Sequence, residues 1–276
     1  MILDTESNKN SEQGFIIISL AIVLSIAIIA ISIGLSSGIK GIESNREYET
    51  SEELKSIKTA ITGTSVEDFG FIGDMGRLPN NLEELNTIGT QTAFHTSDSG
   101  IPHFGSVGMG WRGPYYRYGK TTDDYLMDAW GRNYVYVITE TNTTGGGLTL
   151  NQRTAVVISK GSDGIYPSAD DIYSEEIPQR GNLIMKIVIG ATDNIARNVI
   201  VYMYSSNNGE QTVALSEPVI FSGIEGEEFA FPFSNLHQGA HAFNINFGAM
   251  DETGYLHIIG GDANRITISI PVGKKR

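Results

Sequence analysis

The chain has 276 residues and a formal net charge of −13, with 19 Lys and Arg against 32 Asp and Glu. That balance argues against a nucleic-acid or anionic-lipid partner over most of the surface, and the absence of cysteine excludes disulfides, cysteine-ligated zinc and thiol catalysis. Abundant glycine and scarce proline, 32 against 8, point to turn-rich β structure.

Residues 1–14 form a polar leader that ends in Gly14 and carries Asp4, Glu6 and Glu12 against Lys9. From Phe15 to Ile39 no side chain is charged, and the polar interruptions are Ser19, Ser25, Ser32, Ser36 and Ser37. As a helix, residues 15–35 would span about 32 Å, close to a hydrocarbon core of about 30 Å. The spacing therefore predicts a transmembrane helix. A cleaved secretory signal fits less well, because its apolar region is shorter and follows a positively charged start. Lys40, Arg46, Lys55 and Lys58 follow the apolar run, and charge alone places the larger part of the chain inside the cell. Leu54, Ile57 and Ile61 continue a helical period among charged residues, until Gly63 and Gly70 break it.

Three later stretches carry recurring features. "GDMGRLPNNLEEL" (residues 73–85) reads as a turn into a short helix capped by Asn80 or Asn81. "GWRGPYYRYGKTTDDYLMDAWGRNYVYVI" (110–138) ends in an alternating strand whose Trp130, Tyr134 and Tyr136 read as core and strand-face residues. "VVISKGSDGIYPSADDI" (156–172) places Asp163, Asp170 and Asp171 in one turn-rich loop. A leader ending in Gly before Phe, a long apolar helix, and these stretches in this order resemble the type IV pilin-like proteins. Within them the chain is most similar to the major pseudopilin of type II secretion systems. The counterparts are Gly76-Arg77-Leu78-Pro79, Trp111-Arg112-Gly113-Pro114-Tyr115, residues 128–136 and the loop 159–172, and the resemblance covers residues 14–172.

The resemblance implies cleavage between Gly14 and Phe15 by a prepilin peptidase, methylation of the new terminus, and assembly with other pilin-like subunits at an inner-membrane platform. It also implies a structural calcium site in the acidic loop, with Asp163 and Asp171 as side-chain ligands, Asp170 as a substitute, and carbonyls from Ser159 onward completing the shell. Calcium takes such hard oxygen ligands, although an Asp-rich turn can also satisfy its own amides. Two departures stand out. The family glutamate five residues into the mature chain is Ser19 here, which cannot pair with an amine in hydrocarbon. Ala129 stands where the family has proline.

Beyond the linker at 177–182, seven short alternating segments predict an antiparallel sandwich over 181–276. Residues 233–247 resemble a hairpin of carboxypeptidase-regulatory or transthyretin-like domains. His237 and His241, and likewise His95 and His103, read as surface histidines, because no third ligand converges. No nucleophile elbow, phosphate loop or zinc-protease motif is present, and "TGGGL" (144–148) reads as a hairpin turn.

The sequence thus predicts an α+β chain: a leader (1–14), a long N-terminal transmembrane and assembly helix (15–62) packed on a small antiparallel sheet (63–177), and a β-sandwich (181–276). The predicted function is a non-enzymatic filament subunit of a type IV pilus or type II secretion pseudopilus. It would be anchored once in the inner membrane with its C-terminal part periplasmic or extracellular. The alternative is a non-polymerising, membrane-anchored binding or adhesion protein that presents the sandwich.

Overall fold

The computed structural model describes residues 6–98, 106–116, 126–145, 148–248, 251–261 and 263–270, with side chains left out at 6–18, 33–37 and some strand ends. The chain divides into two compact units, Met1–Glu49 and Thr50–Arg276. Helix α1 runs from Glu6 to Thr62 and so belongs to both. In the second unit its last turns bury Leu54, Ile57, Ala60 and Ile61, the face on which apolar side chains recur at helical spacing. Gly63 ends the helix at φ 70°, and an added Cβ would lie 2.1 Å from the Asp68 carbonyl oxygen. A side chain at 63 would therefore force the returning loop away.

Around this face lie α2 (Gly70–Met75) and a 3-10 helix, Leu82–Leu85. Phe71, Ile72, Met75, Leu78, Leu82 and Leu85 form a core with α1. Asn81 caps the 3-10 helix, its side chain accepting from the Glu84 N–H at 3.2 Å. Asn81→Ala is expected to cost about 1 kcal/mol, measured as a lower urea midpoint with an unchanged slope.

Strands β1 (His95–Asp98) and β2 (Ser106–Met109) form an antiparallel hairpin. The long hairpin of β3 (Val135–Gly145) and β4 (Leu148–Ser159) is joined on β4 by β5 (Ile172–Tyr173) and β6 (Ile177–Pro178). Then follow β7 (Arg180–Ile189), β8 (Arg197–Asn207), β9 (Glu210–Leu215), β10 (Val219–Phe221), β11 (Glu228–His237), β12 (Gly239–Asn246), β13 (Asp251–Ile258) and β14 (Ala263–Ile270). One sheet has the order β10-β8-β12-β13, with β9 also on β8, and the other the order β11-β7-β14. Every second residue of β7 is buried, so Leu183, Met185, Ile187 and Ile189 face one core. Phe231, Phe233, Val201, Met203, Phe243 and Ile245 meet them there. Val107 and Met109 of β2 pack against Tyr204 and Ala242, which tie the hairpin to the five-stranded sheet.

The α+β expectation, a long transmembrane helix on one small antiparallel sheet, is overturned. The chain is mostly β, with four sheets among the described residues, and none of its described helices is long and apolar enough to cross a membrane. The expected span at 15–35 falls partly on side chains outside the described residues. The C-terminal strands also differ from a purely antiparallel sandwich: β14 runs parallel to β7, from Ala263 opposite Asn182 to Ile270 opposite Ile189.

Candidate functional site

In the first unit, every residue from 20 to 32 is exposed. Leu20, Ile22, Val23, Leu24, Ile26, Ile28, Ile29 and Ile31 are each 55–65% exposed. They surround the helix rather than line one stripe, and a helix apolar all round requires cover. Burying eight such side chains is worth on the order of 10 kcal/mol. The serines add no polar demand outward: Ser25 Oγ donates to the Ala21 carbonyl at 2.7 Å and Ser32 Oγ to the Ile28 carbonyl at 2.8 Å. Gly14 and Phe15, the expected processing pair, lie within the backbone of α1. Ser19 is half-buried.

In the second unit, the acidic loop between β4 and β5 brings Asp163, Asp170 and Asp171 together around Ser168. Asp170 Oδ1 accepts from Ser168 Oγ at 2.6 Å, and its Oδ2 accepts from Ser162 Oγ at 2.8 Å and the Asp163 N–H at 3.0 Å. These donors, Ser168 foremost, hold the Asp170 carboxyl well below the usual carboxylate range. Asp163 Oδ1 accepts from the Ile165 N–H at 2.7 Å, and Asp171 Oδ2 from the Ser168 N–H at 2.8 Å. Ser159 is buried: its hydroxyl donates to Asp128 Oδ2 at 2.5 Å and accepts from the Gly161 N–H at 3.2 Å. The carbonyls of Gly161 and Ser162 accept from the Arg132 guanidinium, the latter at 2.9 Å.

This donor set does not fit the expected calcium shell, because N–H and O–H groups face the oxygens an ion would need. Among the described residues no group of three His, Asp or Glu side chains could hold a metal.

A second polar node joins α2 to the 110–116 segment. Asp74 is 1% exposed, accepts from Tyr115 Oη at 2.9 Å and pairs with Arg112 at 3.1 Å. Burial pushes its carboxyl up to about 6, against the opposing pull of Arg112 and Tyr115. Arg112 also lies over the Phe69 and Phe94 rings, at 4.7 and 4.5 Å. The sequence reading missed Asp74, although an Asp inside an apolar hexapeptide, "GFIGDM", was the available signal.

No protein-family model and no curated protein matches this chain. Assignment therefore rests on the residues themselves.

Ala129, the departure from proline, uses the N–H that proline lacks: it donates to Thr50 Oγ1 of α1 at 3.2 Å. Tyr134 Oη donates to Glu53 of the same helix at 2.7 Å. The histidine expectation needs correction. His241 is 3% exposed, with its ring nitrogens 3.1 Å from the Tyr204 carbonyl and 2.6 Å from the His237 carbonyl. Burial lowers the pKa of His237 to about 3 and also lowers that of His241. His103 lies outside the described residues, and His95 is half-buried.

Proposed function

We propose that the chain is a pilin-like filament subunit whose α1 packs against the same helix of sister subunits. The observation that carries this reading is the exposed apolar surface at 20–32. Identical helices side by side cover such a surface without any partner-specific chemistry. The motif order of residues 14–172 supports a type II secretion pseudopilus or a related filament. Before assembly the subunit is held at the inner membrane, where lipid covers the same side chains, and its C-terminal part lies outside the cytoplasm. A prepilin peptidase cuts between Gly14 and Phe15. In that reading Ser19 removes the charge that usually partners the new terminus, which suits an initiating or specialised subunit.

The test is N-terminal sequencing and intact mass of the protein from membranes, with and without a prepilin peptidase. Electron microscopy after co-expression with an assembly platform completes it. A terminus at Phe15 and filaments that contain the chain are the expected results. An intact leader beside an active peptidase would overturn the filament reading and favour a non-polymerising protein that displays its β-sandwich.

A further inference from the structure

A guanidinium from outside the acidic loop reaches two of its carbonyls. The turn 128–132 aims Arg132 at the loop: Asp128 Oδ1 accepts from the Trp130 and Arg132 N–H groups, both at 3.0 Å. Asp128 Oδ2 meanwhile takes the Ser159 hydroxyl at the end of β4, which fixes the turn to the loop's first residue. From there the two terminal nitrogens of the guanidinium donate to the successive carbonyls of Gly161 and Ser162. Gly164 completes the seat. An added Cβ at this φ 73° position would lie 2.9 Å from Arg132 Cζ and Nε, so the guanidinium rests flat against the bare Cα.

We propose that Arg132 is the resident cation of this loop, in place of a divalent ion, and that the loop closes without metal. A planar fork with permanent charge suits two adjacent carbonyls. A calcium ion needs six to eight oxygens converging on one point. Here Gly161 O and Ser162 O point to separate nitrogens, and the carboxylates of Asp163, Asp170 and Asp171 turn to the loop's own serine hydroxyls and amides. A divalent ion sharing those carbonyls would also sit beside a positively charged guanidinium. Without the guanidinium the Gly161 and Ser162 carbonyls lose their donors, while the three carboxylates keep the serine and amide donors of the loop. The inference is independent of whether the chain polymerises.

The experiment is thermal unfolding of the full-length protein in detergent, in millimolar calcium chloride and in EDTA, with isothermal titration of calcium into the EDTA-treated protein. The wild type is expected to unfold at the same temperature in both solutions and to give no binding isotherm. Arg132→Ala is expected to unfold several degrees lower than the wild type, by the same amount in EDTA and in calcium. A calcium-dependent rise in the wild-type unfolding temperature, or a one-site isotherm for the wild type, would overturn the proposal. So would an Arg132→Ala protein as stable as the wild type in EDTA. If Arg132→Ala fails to fold, the wild-type titration decides alone. Arg132→Lys, which keeps the charge but not the fork, then serves as the destabilised variant.

Discussion

Arg77→Ala is expected to destabilise the protein by roughly 3 kcal/mol, the cost of leaving one member of a mostly buried ion pair alone. The Arg77 and Glu84 side chains are 16% and 18% exposed and meet at 2.7 Å. Arg77 Nη1 also donates to the Leu78 carbonyl at 2.9 Å, and its guanidinium lies 5.2 Å from the Phe71 ring centre. Glu84 in turn accepts from the Asn80 backbone and side-chain nitrogens at 3.0 and 2.8 Å. Burial works against its ionisation, but the Arg77 and Asn80 bonds outweigh that and hold its carboxyl below the usual range. Removing the arginine therefore strands a carboxylate against the core. Urea unfolding measures the loss. The double variant Arg77→Met, Glu84→Gln should recover more than half of it, because neither charge then remains. A loss below about 1 kcal/mol for the single variant would mean the pair behaves as an exposed one.

Asp74 should make the protein more stable in mild acid than at neutral pH. Its folded pKa is about 6, against 3.8 for the free side chain. Between those values the folded state holds a proton that the unfolded state has released, so the native state binds more protons. Stability from this group is fully present below pH 3.8 and is lost as pH rises through about 6. The span amounts to about 3 kcal/mol. Glu84, Asp170, Asp193 and Glu175, whose carboxyls are held low, act in the opposite direction as pH falls. The difference between wild type and Asp74→Asn isolates the effect. Wild-type stability relative to the variant should fall by about 2 kcal/mol from pH 4 to pH 7, as read by urea unfolding at each pH. A flat difference would mean that Arg112 and Tyr115 fully offset the burial of the charge.

These nodes were only partly legible in the sequence. A cap at Asn80 or Asn81 was readable, because capping needs only a side-chain oxygen three residues before an orphan N–H, and the structure selects Asn81. Arg77 was visible as part of a turn, but its partner seven residues on depended on how the 3-10 helix folded back. The sandwich strands were legible wherever burial alternates, as along β7. Strand β9 was not, because its exposed Val213 and Leu215 leave little apolar face turned inward. His241 was misjudged for a related reason. Spacing within a hairpin says nothing about the strand on its other side, and here the Tyr204 carbonyl of β8 meets the ring.

What the sequence determined by itself was local: the apolar run from Phe15, the breaks at Gly63 and Gly70, the period-2 strands and the clustering of Asp163, Asp170 and Asp171. Each follows from neighbours within a few residues, where propensity and periodicity act. Only the tertiary structure decided the mostly β architecture, the parallel pairing of β14 with β7, and the contact of Arg132 with the carbonyls of the acidic loop. Arg132 lies about 30 residues earlier in the chain than the carbonyl it meets. A carboxylate cluster reads the same in sequence whether a metal, its own amides or a distant guanidinium balances it. The fold brings two of the three within hydrogen-bonding distance, the loop's own amides on the carboxylates and the guanidinium on the neighbouring carbonyls.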